Sequence, residues 1–203
     1  MAIKDNILKT FRQKDELAPQ IWELDSDSGE FFMREEVRLQ LLKITNEFIE
    51  FVDLDNLEFN TETQDCDVED IVVTGSISNY NWSSFSDIDL HLILDFSGID
   101  DNKKLVKNFL NAKKNLWNAS HDIEVRGFEV EAYAQDSKET HFSSGVFSIL
   151  FNEWVVKPKY VESEIDIDKI LSKASGWMDM IDALYSGQYA QTTEETLEVI
   201  DKI

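Results

Sequence analysis

Asp87 and Asp89 stand one residue apart in the run DIDLHLIL, within a leucine- and isoleucine-rich stretch. A strand sends alternate side chains to opposite faces. Asp87, Asp89 and His91 therefore share one face, and Ile88, Leu90, Leu92, Leu94 and Phe96 share the other, the core side. Carboxylates two positions apart on a strand lie roughly 5.5–7 Å from each other. Left alone they repel, and burial raises their pKa values. A divalent cation resolves that conflict, because hard cations such as Mg²⁺ take carboxylate oxygens and keep several waters. On an exposed face the same pair would be two ordinary solvated acids, and such a pair is common among 41 acidic residues.

Two neighbouring stretches narrow the choice. IVVTGS ends an apolar run at Gly75-Ser76, where a glycine lets backbone N–H groups and a hydroxyl approach phosphate oxygens. FEVEAYA alternates in the same way as the aspartate run, so Glu129, Glu131 and Tyr133 share a face opposite Phe128, Val130 and Ala132. Either glutamate supplies the third acid that a two-metal site needs.

Gly75-Ser76, an interval of eleven positions to Asp87, Asp87-Ile88-Asp89-Leu90 and a later strand carrying an acid between apolar residues resemble the polymerase-β-like nucleotidyltransferase superfamily. That motif covers residues 71–134. The surroundings SNYNWSSFSDIDLHLILDF, FEVEAYAQD and HFSSGVFSILFNEW, with a Lys-Pro after them, are similar to small predicted nucleotidyltransferases common in bacteriophage genomes, from about Ile21 to Tyr160. The resemblance implies an α+β fold: a minimal nucleotidyltransferase core, with a small mixed sheet flanked by N- and C-terminal helices. It implies that Asp87, Asp89 and Glu131 bind Mg²⁺ or Mn²⁺ and carry catalysis, and that Gly75 and Ser76 contact the nucleotide phosphates. The reaction implied is transfer of a nucleoside monophosphate from an NTP to a hydroxyl acceptor, with pyrophosphate leaving. The acceptor is a small molecule, a protein or an RNA. Glu stands where Asp is commoner in the superfamily, and Glu131 matches its spacing better than Glu129. The alternative is a catalytically inactive module of the same fold that binds nucleotide or a protein. A third reading, an interaction protein turning its acidic surface to a basic partner, leaves the acids without metal.

These residues need elements to position them. Val37, Leu41, Ile44, Phe48 and Phe51 recur at helical spacing, predicting a helix from about Arg34 to Phe51. Leu8 and Phe11 suggest a short helix, Trp22 anchors the bend APQIW, and DSDSGE reads as an acidic turn. Residues 53–68 read as an acidic loop. Ile71-Val72-Val73 is a buried strand, and 87–96 is the aspartate strand. Asp100 or Asp101 caps a helix to about Trp117, with Leu105, Phe109, Leu110 and Leu116 inward. Ile123 to Ala134 forms a hairpin or bulged strand bent at Arg126-Gly127. Ser143 or Ser144 caps a short apolar helix ending near Trp154. Residues 166–186 form a helix whose apolar face carries Ile167, Ile170, Leu171, Ala174, Met178, Ile181 and Leu184, stopped by Gly187. Thr192 and Glu195 form a capping box for a last helix with Leu197 and Ile200. The expected division is an N-terminal helical segment packed on the core (1–68), the nucleotidyltransferase core (69–136) and a C-terminal helical region (137–203).

Composition bounds the partners. The 203 residues include 41 acidic and 19 basic side chains, a formal charge of −22. So negative a surface disfavours general nucleic-acid binding and favours cations or basic partners. Cys66 is the single cysteine, which leaves no internal disulfide and no zinc spacing; His121 and His141 add no ligand spacing. No apolar stretch approaches the length of a membrane span, and MAIKDNILKTFRQKDE has no apolar leader core. A cytoplasmic protein without membrane partners is expected.

Other residues admit a functional and a plain reading. His91 lies on the aspartate face and is a candidate nucleotide contact or a hydrogen-bonded side chain at the sheet edge. Lys103, Lys107 and Lys114 share a helix face and could meet phosphate, though a solvated face is the simpler account. Tyr80, Trp82 and Phe85 could stack on a base; packing of the loop is preferred. Ser143 and Ser144 could contact the nucleotide. Arg126 is expected at the surface, and Trp177, Met178 and Met180 are expected to pack between helices.

Overall fold

The computed structural model describes residues 13–52, 68–139, 143–161 and 166–186. The predicted Leu8–Phe11 helix, the acidic loop around Cys66, His141, Gly187 and the Thr192–Glu195 box lie outside the described residues. Gln13–Glu162 form one compact unit, and the helix near the C-terminus belongs to a second.

In the larger unit, strands β1 (Trp22–Leu24) and β2 (Phe31–Met33) pair antiparallel, with Trp22 opposite Met33. The acidic turn between them is held by the Asp25 carboxylate, which accepts from Asp27 N–H at 2.8 Å. Helix α1 (Glu35–Val52) follows. Glu35 and Glu36 in its first turn suit the positive end of the helix dipole. Its buried residues include Val37, Leu41, Ile44 and Phe48 of the predicted face, together with Val52; Phe51, also expected on that face, is half-buried.

The main sheet contains β3 (Val68–Thr74), β4 (Ile88–Leu94), β5 (Glu124–Val125), β6 (Phe128–Asp136), β7 (Val146–Ser148) and β8 (Glu153–Val156), in spatial order β5-β6-β4-β3-β7-β8. It is mixed: β4 and β6 run parallel, and the other pairs are antiparallel. Parallel neighbours need a crossover. Here it runs through α2 (Phe96–Ile99) and α3 (Lys103–Ser120). The protein is thus α+β, with a mixed sheet and packed helices.

The alternation in β4 holds. Ile88, Leu90, Leu92 and Leu94 are buried, while Asp89 and His91 are half-buried on the opposite face. The strand is shorter than expected at its end. Asp95 caps α2 by accepting from Ser97 N–H at 2.9 Å, so Phe96 enters the core from a helix rather than a strand.

Three further expectations are corrected. Asn102, not Asp100 or Asp101, caps α3, accepting from Leu105 N–H at 3.2 Å. The buried face of α3 is Val106, Leu110 and Trp117, whereas Leu105 (59% exposed), Phe109 (40%) and Leu116 (62%) face outward. The helix carries two adjacent apolar rows, and the large indole decides between them. Trp117 packs edge-on against Phe48 at 5.6 Å and beside Phe51 at 5.4 Å.

The helix expected to end near Trp154 is instead the hairpin β7–β8, turning at Asn152 with φ 56°. β7 pairs with the free edge of β3 through Val73 opposite Phe147, and Phe147 is fully buried. Its ring meets Trp22 at 5.1 Å and Trp154 at 5.0 Å, and Trp22 stacks on Trp154 at 4.7 Å. The three rings come from β1, β7 and β8 and touch one another, contacts that the strand pairing of β7 and β8 sets up. Residues of the segment expected to be helical from 137 onward therefore contribute two strands.

Helix α4 (Ile167–Tyr185) forms where predicted. Of the residues expected to pack between helices, Trp177 and Met178 are exposed, at 38% and 64%, and Met180 is half-buried; Ile181 on the expected apolar face is 37% exposed. Among the described residues α4 is the one element of its unit. Among the described residues no helix is long and apolar enough to cross a membrane.

Candidate functional site

β3 ends at Thr74, and the chain then turns sharply. Gly75 has φ 79° and ψ −166°, backbone that an L side chain rarely adopts. A Cβ there would lie 2.1 Å from Asp89 Oδ2. Glycine is thus required twice over, by conformation and by the closeness of the acid. The turn continues as one 3₁₀ turn, Ser76–Ser78. Asn79 Nδ2 donates to Gly75 O at 2.7 Å, and Ser144 Oγ donates to Asn79 Oδ1 at 2.8 Å. Ser76 and Ser86 share a hydroxyl hydrogen bond at 2.7 Å, tying the turn to the residues just before Asp87.

The acids converge beside this turn. Asp89 on β4 lies opposite Glu131 on β6 and opposite Thr74 on β3. Adjacent strands in register send partnered residues to one face, so the parallel pairing aims Glu131 at Asp89. Asp87 immediately precedes β4. One carboxylate oxygen from each of Asp87, Asp89 and Glu131 lies within 4.8 Å of the other two, and all three residues are half-buried. Burial pushes the Asp89 carboxyl up to about 6, and the charges of Asp87 and Glu131 add to the rise. Three close oxygen donors, one of them driven toward protonation by burial and by its neighbours, form a set that fits a hard divalent cation. Glu129 is not in the cluster. It is exposed and sits opposite Glu124 on β5.

No protein-family model, curated protein or solved structure matches this chain.

Around the acids lies a polar layer that sequence reasoning only partly found. The Tyr133 hydroxyl donates to Glu131 Oε2. Burial, that hydrogen bond and the surrounding acids hold the Tyr133 pKa well above the usual phenol range, so the hydroxyl keeps its proton. His91 stacks on the Tyr133 ring at 5.0 Å. Its Nδ1 lies 2.9 Å from Gln135 Oε1 and its Nε2 3.2 Å from Thr74 Oγ1. His91 thus sits one step behind the carboxylate cluster. The Lys114 ammonium lies 4.7 Å from the centre of the Tyr133 ring. Asn118 Nδ2 donates to Ala132 O at 3.2 Å, and Ala132 N–H donates to Asn118 Oδ1 at 3.1 Å. Tyr133 was legible as a face-mate of Glu131; the part played by Asn118 has no local sequence signal.

The remaining candidates are occupied elsewhere or exposed. Lys103 pairs with Asp136 at 3.1 Å and Lys107 with Glu139 at 2.6 Å. Trp82 Nε1 donates to Glu16 O at 2.9 Å, and Tyr80 packs edge-on against Tyr160 at 5.8 Å. Phe85 departs from the packing expectation: it is 85% exposed, two residues before Asp87. Arg126 lies at the β5–β6 turn, where it pairs with Glu36 at 2.9 Å. Ser143 Oγ donates to Gly145 O at 2.8 Å, within its own loop.

Proposed function

We propose that this chain is a nucleotidyltransferase with a polymerase-β-like core, dependent on Mg²⁺ or Mn²⁺. It moves a nucleoside monophosphate from an NTP to a hydroxyl acceptor. The observation that carries the reading is the convergence of Asp87, Asp89 and Glu131 beside the Gly75-Ser76 turn. Asp87, Asp89 and Glu131 would hold the ions, which supply charge neutralisation for a triphosphate and acidity for an attacking hydroxyl. In the reaction the acceptor hydroxyl gives up its proton, which Glu131 would help remove to solvent, its oxygen bonds to the α-phosphorus, the α–β bridging P–O bond breaks, and pyrophosphate leaves with the electron pair. The protein's part is to place groups and to orient charge. Gly75 keeps backbone, rather than a side chain, against Asp89. Ser76 and Asn79 brace the turn on which phosphate oxygens would rest.

The net charge of −22 supports a strict metal requirement, since an NTP without a cation would be repelled by this surface. The elevated Asp89 pKa points the same way, because half-buried carboxyls perturbed by neighbouring charges mark functional sites more often than chance. The acidic surface favours a small or cationic acceptor over a large nucleic acid.

The test is calorimetric titration with ATP and GTP analogues that carry a non-hydrolysable α–β bridge, with and without Mg²⁺. Wild type should bind only with Mg²⁺, and the double variant Asp87→Ala/Asp89→Ala should not bind. An acceptor screen by pyrophosphate release follows. A folded wild type that binds no NTP under any metal condition sinks the proposal.

A further inference from the structure

Glu131 is the outlying member of the acidic cluster. Asp87 and Asp89 come from one stretch of chain, while Glu131 comes from a neighbouring strand and has a longer, more rotatable side chain. Something must select one of its rotamers if it is to face the aspartates. The Tyr133 hydroxyl, donating to Glu131 Oε2, is the group that touches it. Tyr133 is two residues along the same strand, so its ring rises from the same face. The ring itself has two neighbours: His91 stacks at 5.0 Å with an angle of 19° between planes, and the Lys114 ammonium lies 4.7 Å from the ring centre. His91 in turn is fixed by Gln135 and Thr74. A chain of contacts thus runs from β3, β4 and α3 to a single carboxylate oxygen.

We infer that Tyr133 is a positioning residue for the metal site: in contact with His91 and Lys114, it holds Glu131 in the orientation that completes the three-carboxylate set. The inference rests on the metal-site part of the function proposed above. It is independent of the nucleotide and of the acceptor. Carboxylates that bind metals are themselves commonly hydrogen-bonded, and removing such partners weakens metal binding about 10–100-fold.

The test reads Mn²⁺ binding alone, by electron paramagnetic resonance, with no nucleotide present. Tyr133→Phe keeps the ring, its stack on His91 and its contact with Lys114, and deletes only the hydroxyl. Its Mn²⁺ dissociation constant should rise about tenfold or more, with the melting temperature followed as a check on folding. The same substitution in a Glu131→Gln background should cause no further loss, because Tyr133 acts through Glu131. An affinity within twofold of wild type for Tyr133→Phe overturns the inference. So does an equal loss in the presence and absence of Glu131, which would make the tyrosine merely structural. A wild type that binds no Mn²⁺ at millimolar concentration overturns it together with the metal site. Mn²⁺ binding that follows the expected pattern in a protein that binds no NTP would sink the nucleotidyltransferase reading and leave this one standing.

Discussion

Asp89→Asn should stabilise the metal-free protein at neutral pH while abolishing metal-dependent ligand binding. The Asp89 carboxyl is raised from 3.8 to about 6, first by burial and then by Asp87 and Glu131. The folded-state value lies above the unfolded one. The neutral carboxyl therefore favours the fold, and its contribution is complete below pH 3.8 and is lost as pH rises through 6. Each tenfold in proton affinity is about 1.4 kcal/mol, so the full displacement corresponds to ~3 kcal/mol. Solvent reaches part of the cluster, and screening reduces this to about 2 kcal/mol. Asn is neutral at every pH and matches the protonated acid in shape. The variant should thus gain about 2 kcal/mol at pH 7.5, which is ~4–8 °C in melting temperature for a chain of this size. At pH 4 the gain should be close to zero. Melting both proteins in EDTA between pH 4 and 8 gives the comparison, and titration of carboxyls remote from the cluster cancels in the difference. Mg²⁺ should then raise the melting temperature of wild type at pH 7.5 and leave the variant unmoved. An Asp89→Asn protein that melts at or below wild type at pH 7.5, or a difference that does not change with pH, refutes the reasoning.

Other substitutions probe the frame of the site. Gly75→Ala places a methyl 2.1 Å from Asp89 Oδ2 at φ 79°; it should cost about 2 kcal/mol or more in urea denaturation and displace Asp89. Glu131→Gln should remove Mg²⁺-dependent analogue binding by calorimetry, whereas Glu129→Gln, exposed and opposite Glu124, should bind within about twofold of wild type. Trp117→Ala should cost roughly 3–5 kcal/mol through loss of a buried ring. Leu116→Ala, one position away and 62% exposed, should stay within about 0.5 kcal/mol.

Much of the frame was legible because it obeys a local period. β4 alternates buried Ile88, Leu90 and Leu92 with half-buried Asp89 and His91, and a period of two can be read from one strand alone. The β5–β6 turn was legible because Arg126 and Gly127, at φ 56° and 85°, form a left-handed pair that glycine favours. What was not legible depends on distant partners. Leu105 and Val106 are adjacent, and only the pocket between Phe48 and Phe51 tells which apolar row of α3 turns inward. VFSILF reads equally as a buried helix or a strand until the free edge of β3 and the rings of Trp22 and Trp154 are in place. The choice between Glu129 and Glu131 was likewise open, since both face the same side. Register with β4 separates them: Glu131 meets Asp89, and Glu129 meets Glu124 on the far strand.

That register makes one residue outside the cluster important to it. A slip of one position would bring Val130 or Ala132 opposite Asp89 and turn Glu131 to the helix-covered face. On that face Val130 and Ala132 are buried, and their burial opposes the slip. The backbone of Ala132 is also held from outside the ladder, where Asn118 of α3 accepts from its N–H and donates to its carbonyl. Asn118→Ala leaves both groups without these partners beside the helix, at a cost of about 1–3 kcal/mol. The loss should be visible as faster hydrogen exchange at the Ala132 amide and a lower melting temperature. Mg²⁺ should raise the melting temperature of the variant less than that of wild type, because a Glu131 aimed less firmly binds the ion more weakly. If Asn118→Ala lowers stability but gains as much from Mg²⁺ as wild type does, then β6 is held in register by its burial alone, and Asn118 has no part in aiming Glu131.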